Sequence, residues 1–281
     1  MAKRQPKMGH AAVRPFLKWA GNKFRIIDRV RAKLPAGKRL VEPFTGSGAV
    51  FLNTSYDEYL LCDSNRDLIE LYTILRNEGG HFIEEARRYF DGRHNNEASY
   101  YELREEFNLS RSHEKRATLF IYLNRHGYNG LCRYNAKGRF NVPFGRYKRP
   151  YFPESELNAF HQKAQRAEFM LADFAQTLNT TRHGDVVYCD PPYVPLSSSS
   201  NFTSYAAGGF SMEQQQQLAD LARQSAERGI PVVISNHNTE LTRRIYRNAG
   251  GKSGRAFSVQ RYISCNGAKR NCASEILVLF S

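Results

Sequence analysis

The sequence predicts an α/β fold: a mostly parallel sheet covered by helices, with an antiparallel hairpin at one edge and a long helical insertion. Three observations carry this. Short apolar runs alternate with helix-like segments, as a parallel sheet requires. The last two runs flank a polar loop with no helix between them, which suggests an edge hairpin. About a hundred residues, 64–167, separate the second and third core runs. That is far beyond an ordinary crossover and reads as an inserted domain.

The strand candidates are 39–44, 59–63, 168–171, 185–189 and 230–235, followed by 256–263 and 275–280 around the loop 264–273. Helical patterns cover 24–34, 67–76 and 212–228, the last with Leu218, Leu221 and Ala222 on one face. The main domain is therefore expected to comprise 1–63 and 168–281, with 64–167 as an inserted, mainly helical domain. Two short biased runs read as a mobile loop, 197–200, and the wet face of a helix, 214–217.

The 281 residues contain no apolar stretch long enough to span a bilayer, and the basic start, 1–16, lacks the apolar core of a secretory signal. A cytoplasmic protein is expected. Five cysteines, Cys62, Cys132, Cys189, Cys265 and Cys272, show no zinc-ligand spacing and read as free thiols. Cys189 lies inside an apolar run and reads as a small core residue rather than a nucleophile. No metal site is expected, because the histidines are scattered.

Charge is the strongest bulk signal, with a formal net charge of +14. Residues 1–39 hold twelve Lys or Arg against the single acid Asp28. Residues 125–149 hold seven and no acid, interleaved with Tyr128, Tyr134, Phe140, Phe144 and Tyr147. Bases can neutralise phosphates and aromatics can stack on nucleobases, so nucleic acid is favoured over a membrane surface. A solvated loop whose aromatics form a satellite core is the competing reading.

Glu42-Pro43-Phe44-Thr45-Gly46-Ser47-Gly48 ends the first strand and opens the helix-like run 49–52. Gly46 and Gly48 would let the backbone approach a ligand closely. A nicotinamide fingerprint would want a third small residue where Phe51 stands, and no phosphate-cradling Lys follows, which counts against ATP. Asp63 ends the second strand, placed to accept hydrogen bonds from ribose hydroxyls. An adenosyl group without phosphates fits this pattern best. Asp63 could equally be the N-cap of the helix that follows.

Asp190-Pro191-Pro192-Tyr193 ends the fourth strand. Its prolines remove two backbone donors and restrict φ, leaving the Asp190 carboxylate and the Pro191 carbonyl as fixed acceptors. Such acceptors suit an aromatic amine, whose lone pair is delocalised until the nitrogen becomes tetrahedral. Tyr193 offers a ring for stacking, and a base in a duplex would have to be flipped out to reach it. Alone, the tetrapeptide could be a strand-ending turn; its partnership with the glycine turn makes it a site.

These residues resemble the Dam family of DNA adenine-N6 methyltransferases from about Arg14 to Phe280. The resemblance is carried by Phe16-Leu17-Lys18-Trp19-Ala20-Gly21, the Glu42 to Gly48 turn, Leu123-Asn124-Arg125, Gly127 to Asn135, Phe140 to Tyr147, the tetrapeptide and Ile234-Ser235-Asn236-His237. It implies a Rossmann-like, seven-stranded methyltransferase sheet with an antiparallel edge hairpin, in the α group of amino-methyltransferases. S-adenosyl-L-methionine is the implied cofactor, with Trp19, Lys23, Glu42, Phe44, Gly46, Gly48 and Asp63 around it. Asp190, Pro191, Pro192 and Tyr193 are the implied catalytic residues.

The implied partner is double-stranded DNA, methylated at adenine N6 in GATC by base flipping, with no membrane or metal involved. The resemblance places Lys18, Arg125, Tyr128, Asn129, Leu131, Arg133, Pro143 and Tyr147 on the DNA, the hairpin spanning about 125–149. Arg133 is suited to guanine, whose O6 and N7 match its fork. A monomer, nucleoid-associated through DNA, is expected. Asn22 departs from the family's usual glycine, and His126 from its usual tyrosine; His126 reads as an exposed loop residue. Methylation of cytosine N4, a DNA-binding regulator without catalysis, and methylation of RNA or a protein amide are the alternatives.

Overall fold

The computed structural model describes residues 12–193, 210–260 and 272–281. The 197–200 run and Cys265 lie outside the described residues, as do most of the first sixteen residues and most of the 264–273 loop. The core strands are β1 (Arg39–Glu42), β2 (Glu58–Asp63), β3 (Ala167–Leu171), β4 (Asp185–Cys189) and β5 (Val232–His237). They are followed by β6 (Lys252–Ser253), β7 (Phe257–Gln260) and β8 (Cys272–Phe280). The sheet order is β3-β2-β1-β4-β5-β8-β6, with β7 also paired to β8. Strands β1 to β5 pair in parallel, and β8 runs antiparallel to β5, β6 and β7.

The eight strands of the described residues fill the seven positions expected, because the outer edge is shared. β7 pairs with 272–275 of β8 and β6 with 278–279, so two short strands occupy one position. The mixed α/β sheet with an antiparallel edge is the Rossmann-like methyltransferase architecture.

The central strands read as continuous apolar runs because both faces are covered. Leu40, Tyr59, Leu61, Val186, Tyr188 and Val233 face one cluster; Val41, Leu60, Cys62, Val187, Cys189, Val232 and Ile234 face the other. The second face is closed by α8 (Phe174–Asn179), α9 (Met212–Glu227) and α10 (Glu240–Asn248). On α9, Leu218, Ala219 and Ala222 are buried, and a Ser211–Gln214 capping box fixes its start.

On the first face lie α1 (Ile27–Lys33) and α2 (Ala49–Leu52). The expected helix at 24–34 divides into a 3-10 turn, Lys23–Ile26, and α1. Asn22 starts the tight turn by accepting from Phe24 N at 2.7 Å, and Leu34 is extended because Pro35 follows. With φ −48°, Asn22 needs no glycine; the left-handed residue is Gly21.

Residues 64–167 form α3 (Arg66–Glu78), α4 (Gly80–Arg87), α5 (Glu97–Leu109), α6 (His113–His126) and α7 (Glu154–Ala164). The α6 helix is apolar almost all round, as the central member of a bundle must be: Ala117 to Asn124 are all buried. Helices α3 and α7 pack on the sheet. One apolar cluster runs from Leu40 and Tyr59 through Tyr72 and Phe160 to Tyr100, Phe107 and Phe120.

The register of β1 against β4 is marked by a buried ion pair. Arg39 and Asp185 are direct partners in the ladder, and the guanidinium donates through Nε at 2.9 Å and through a terminal nitrogen at 2.7 Å. Asp185 also accepts from Arg182 N. Removing one partner leaves a buried charge uncompensated, so Asp185→Ala should lose about 3–5 kcal/mol in urea denaturation. Arg39→Met combined with Asp185→Leu should lose markedly less.

Candidate active site and nucleic-acid interface

Because β1 and β4 are neighbours and parallel, the glycine turn and the tetrapeptide leave the sheet side by side at its carboxyl edge. The turn is tied to β2 by Thr45 N, which donates to the Cys62 carbonyl at 2.9 Å. Gly46 and Gly48 have φ of 48° and 69°. The Trp19 indole lies against Gly46, where an added Cβ would stand 2.8 Å from Nε1. Asp63 accepts from Gly46 N and Asn65 N, both at 3.0 Å. The N-cap of α3 is Asn65, so Asp63 is not the helix cap. Phe44 stacks on Phe174, with Phe210 edge-on.

Glu42 is fully enclosed, and its Oε1 has no hydrogen-bond partner. Burial pushes its carboxyl up to about 8. Asp63 is likewise raised by burial, against the lowering effect of its backbone donors.

On the amine side, Lys23 Nζ lies 2.7 Å from Asp190 Oδ1, 2.6 Å from the Gly21 carbonyl and 4.6 Å from the Tyr193 ring centre. Lys23, carried over as a cofactor ligand, therefore stands on the tetrapeptide in this structure. The Pro192 carbonyl accepts from Gln215 Nε2 at 3.0 Å, and Gln215 is held by Asn236 and Tyr246. The Tyr193 hydroxyl donates to Glu275 at 3.1 Å, and its ring meets His237 edge to face. Sequence reasoning names Ser235, Asn236 and His237 only as a motif, and misses Gln215 and Glu275. No local signal marks the latter two, which reach the site from α9 and β8. Cys189 is buried as expected, its thiol driven up by burial.

The 125–149 segment folds back on itself with only two isolated bridges, Gly127 with Phe144 and Tyr134 with Phe140. Arg133 is exposed, and its guanidinium is aligned by the Asn141 side chain and carbonyl at 2.8 and 3.0 Å. Tyr128 is 46% exposed. Asn129 is left-handed at φ 54°, with its N donating to the Tyr147 hydroxyl. Lys18 Nζ lies 4.1 Å above the Tyr147 ring and donates to the Arg125 carbonyl, and burial lowers its amine to about 8. Pro143 is exposed, and Leu131 is half-buried against the core.

Three expectations change here. Of the five interleaved aromatics, Phe140 is buried against Phe107, Phe144 packs on Tyr100, and Tyr134 donates to Asp67 at 2.6 Å. Tyr147 is half-buried under Lys18, so Tyr128 is the ring left exposed. His126 is a buried residue of α6 stacked on Tyr122, not a loop residue, and burial lowers it to about 4. Arg125 turns inward to the Phe16 carbonyl and the Tyr151 ring.

The glycine turn and the tetrapeptide thus stand at adjacent strand ends of this sheet, as the resemblance to an amino-methyltransferase implies. Residues 19–259 match the D12 class of N6 adenine-specific DNA methyltransferases, and the chain belongs to that family. It is similar to the DNA adenine methylase of Vibrio cholerae, with 50% identity over 269 residues covering 95% of this chain and 96% of the relative. The DNA adenine methylase of Escherichia coli is 50% identical over 267 residues, covering 95% of each chain. That of Serratia marcescens is 52% identical over 268 residues, covering 95% and 98%. The enzyme is an adenine-specific DNA methyltransferase, so its substrate is DNA and it requires a methyl donor.

The buried Glu42 carboxyl gives a pH test. Between its ordinary range and about 8 the folded protein holds a proton that the unfolded chain has released, so this contribution to stability falls as pH rises. Glu42→Gln cannot ionise. Its stability relative to wild type, from urea midpoints, should improve steadily from about pH 5 to about pH 8. A difference independent of pH would show that Glu42 is charged throughout.

Proposed function

We propose that this enzyme transfers the methyl group of S-adenosylmethionine to adenine N6 in double-stranded GATC, with the target base flipped out of the duplex. The observation that carries the reading is the juxtaposition of the glycine turn after β1 with Asp190 after β4. The residues around the turn fit the cofactor. Gly46 lets the Trp19 indole lie against the turn, Asp63 supplies an acceptor for ribose hydroxyls, and the buried Glu42 carboxyl has an oxygen still to be partnered. Phe44 is a wall for the adenine, Trp19 stands beside the turn toward the methionine portion, and Lys23 reaches it from its seat on Asp190.

Bound S-adenosylmethionine supplies an electrophilic methyl on a positively charged sulfur. Transfer would form an N6–carbon bond and break the carbon–sulfur bond, whose electron pair would stay on sulfur, and the N6 proton displaced would pass to solvent. Asp190 and the Pro191 carbonyl accept the amine hydrogens and favour the tetrahedral nitrogen of the transition state. Tyr193 stacks on the flipped base and holds it in line, a contact worth about 1–3 kcal/mol. Residues 64–167 act as the target-recognition unit, with Arg133 reading a guanine and Lys18, Tyr128, Asn129, Leu131, Pro143 and Tyr147 completing the DNA surface, while Arg125, turned inward, supports it from behind. The enzyme works as a monomer, and its positive charge keeps it on DNA.

Labelled cofactor and short duplexes test this. Asp190→Ala should abolish transfer while DNA binding by fluorescence anisotropy persists; normal methylation by that variant would refute the assignment. Arg133→Ala should cost about 1–3 kcal/mol in kcat/KM on GATC and narrow the gap to duplexes altered at one guanine. An unchanged ratio between cognate and altered duplexes would remove Arg133 from readout.

A further inference from the structure

The two oxygens of Asp190 are not equivalent. Oδ1 receives Lys23 Nζ at 2.7 Å and Ser235 Oγ at 2.9 Å, whereas Oδ2 has no hydrogen-bond partner among the described residues. Ser235 is fully buried on β5. Parallel pairing of Tyr188 with Val233 and Cys189 with Ile234 brings the next residues, Asp190 and Ser235, beside one another.

The Ser235 hydroxyl also receives the Tyr188 hydroxyl at 3.1 Å. Its own proton has two acceptors within reach: Asp190 Oδ1 at 2.9 Å and the Cys189 carbonyl at 3.4 Å. The shorter contact, to an ionised oxygen, is the stronger. A hydroxyl is required because the atom must accept from one side and donate to the other.

We propose that Ser235 is a positioning residue for methyl transfer: it pins Oδ1 toward Lys23 and thereby presents Oδ2 as the oxygen that takes a hydrogen of the target amine. This rests on Asp190 being the acceptor, as proposed above. Without Ser235 the carboxylate is held by Lys23 alone and can rotate Oδ2 out of line. The other groups facing Asp190 are Glu42 from β1, Tyr188 and Cys189 from β4, Lys23 from the 3-10 turn and Tyr193 beside it. Glu275 on β8 reaches this set through Tyr193. Of these groups Tyr188 also loses a hydrogen-bond partner in Ser235→Ala.

The test is single-turnover methylation of a GATC duplex with labelled S-adenosylmethionine, enzyme in excess. It compares wild type, Ser235→Ala, Ser235→Cys and Asp190→Ala. Ser235→Ala should slow the chemical step about 10- to 100-fold, with Kd for DNA and for cofactor within about twofold of wild type. Ser235→Cys should recover part of the lost rate. A wild-type rate in Ser235→Ala would overturn the proposal. So would a rate loss matched by loss of binding and of Tm, which is a purely structural effect. If Ser235→Ala does not fold, the same measurements on Ser235→Cys, close in volume and a weak donor, support or overturn the role by the same outcomes. If Asp190→Ala methylates normally, the reading of the site fails; if it is inactive and Ser235→Ala is normal, only the positioning role fails.

Discussion

The parallel pairing of β1 with β4 is the constraint on which the rest of the molecule depends. These two short strands are adjacent in the sheet but separated by more than a hundred residues of chain. Their alignment alone brings the cofactor-type turn next to the tetrapeptide. A shift of one residue would exchange the two faces of β1, sending Leu40 into the cluster that now holds Val41. The Arg39–Asp185 pair resists such a slip from the amino-terminal end, since two buried charges can be satisfied in one register only. At the carboxyl end, the β4–β5 pairing performs the same service for Asp190 through Ser235.

The inserted segment is joined to this frame at the start of α3. Asn65 and Asp67 lie two and four residues beyond Asp63, and both hold the segment that carries Arg133. Asn65 Nδ2 donates to Cys132 Sγ at 3.4 Å, while Asp67 takes the Tyr134 hydroxyl on one oxygen and Arg116 on the other. A single helix terminus thus touches the turn around Gly46 through Asp63 and fixes the chain on either side of Arg133. The continuous apolar cluster beneath it makes the two regions mechanically one body, so the exposed fork of Arg133 stands on a rigid support rather than on a free loop.

What is legible in the sequence follows from which signals are local. The β4 strand and α2 lie where the apolar runs place them, because a strand buried on both faces declares itself as an unbroken apolar stretch. Asp190 and Gly46 are legible as motifs of close-spaced residues. Gln215, Glu275 and the Lys23–Asp190 pair are not, since each joins positions far apart in the chain whose meeting depends on topology. The basic-aromatic segment misleads in a different way: composition cannot say which ring faces inward. Phe140 and Tyr134 are consumed in holding the segment down, and Arg125 is drawn inward by the Phe16 carbonyl. The division of the outer edge between β6 and β7 is also hidden, for β6 is only two residues long.

Charge is distributed in opposite senses on the outside and at the site. The chain as a whole carries +14, yet the strand ends around the tetrapeptide and the glycine turn present Glu42, Asp63, Asp190 and Glu275, with Lys23 in contact with Asp190. Burial makes this concentration of acids costly, as the raised Glu42 and Asp63 carboxyls show. The cost has a use on the proposed reading. Methyl transfer from a sulfonium begins with positive charge on sulfur and ends with it developing on the amine, so a site of preorganised acceptors stabilises the path throughout. On the same reading, a basic exterior would draw the polyanion to the protein, while the buried acids would reject its phosphates and accept an extruded, uncharged base.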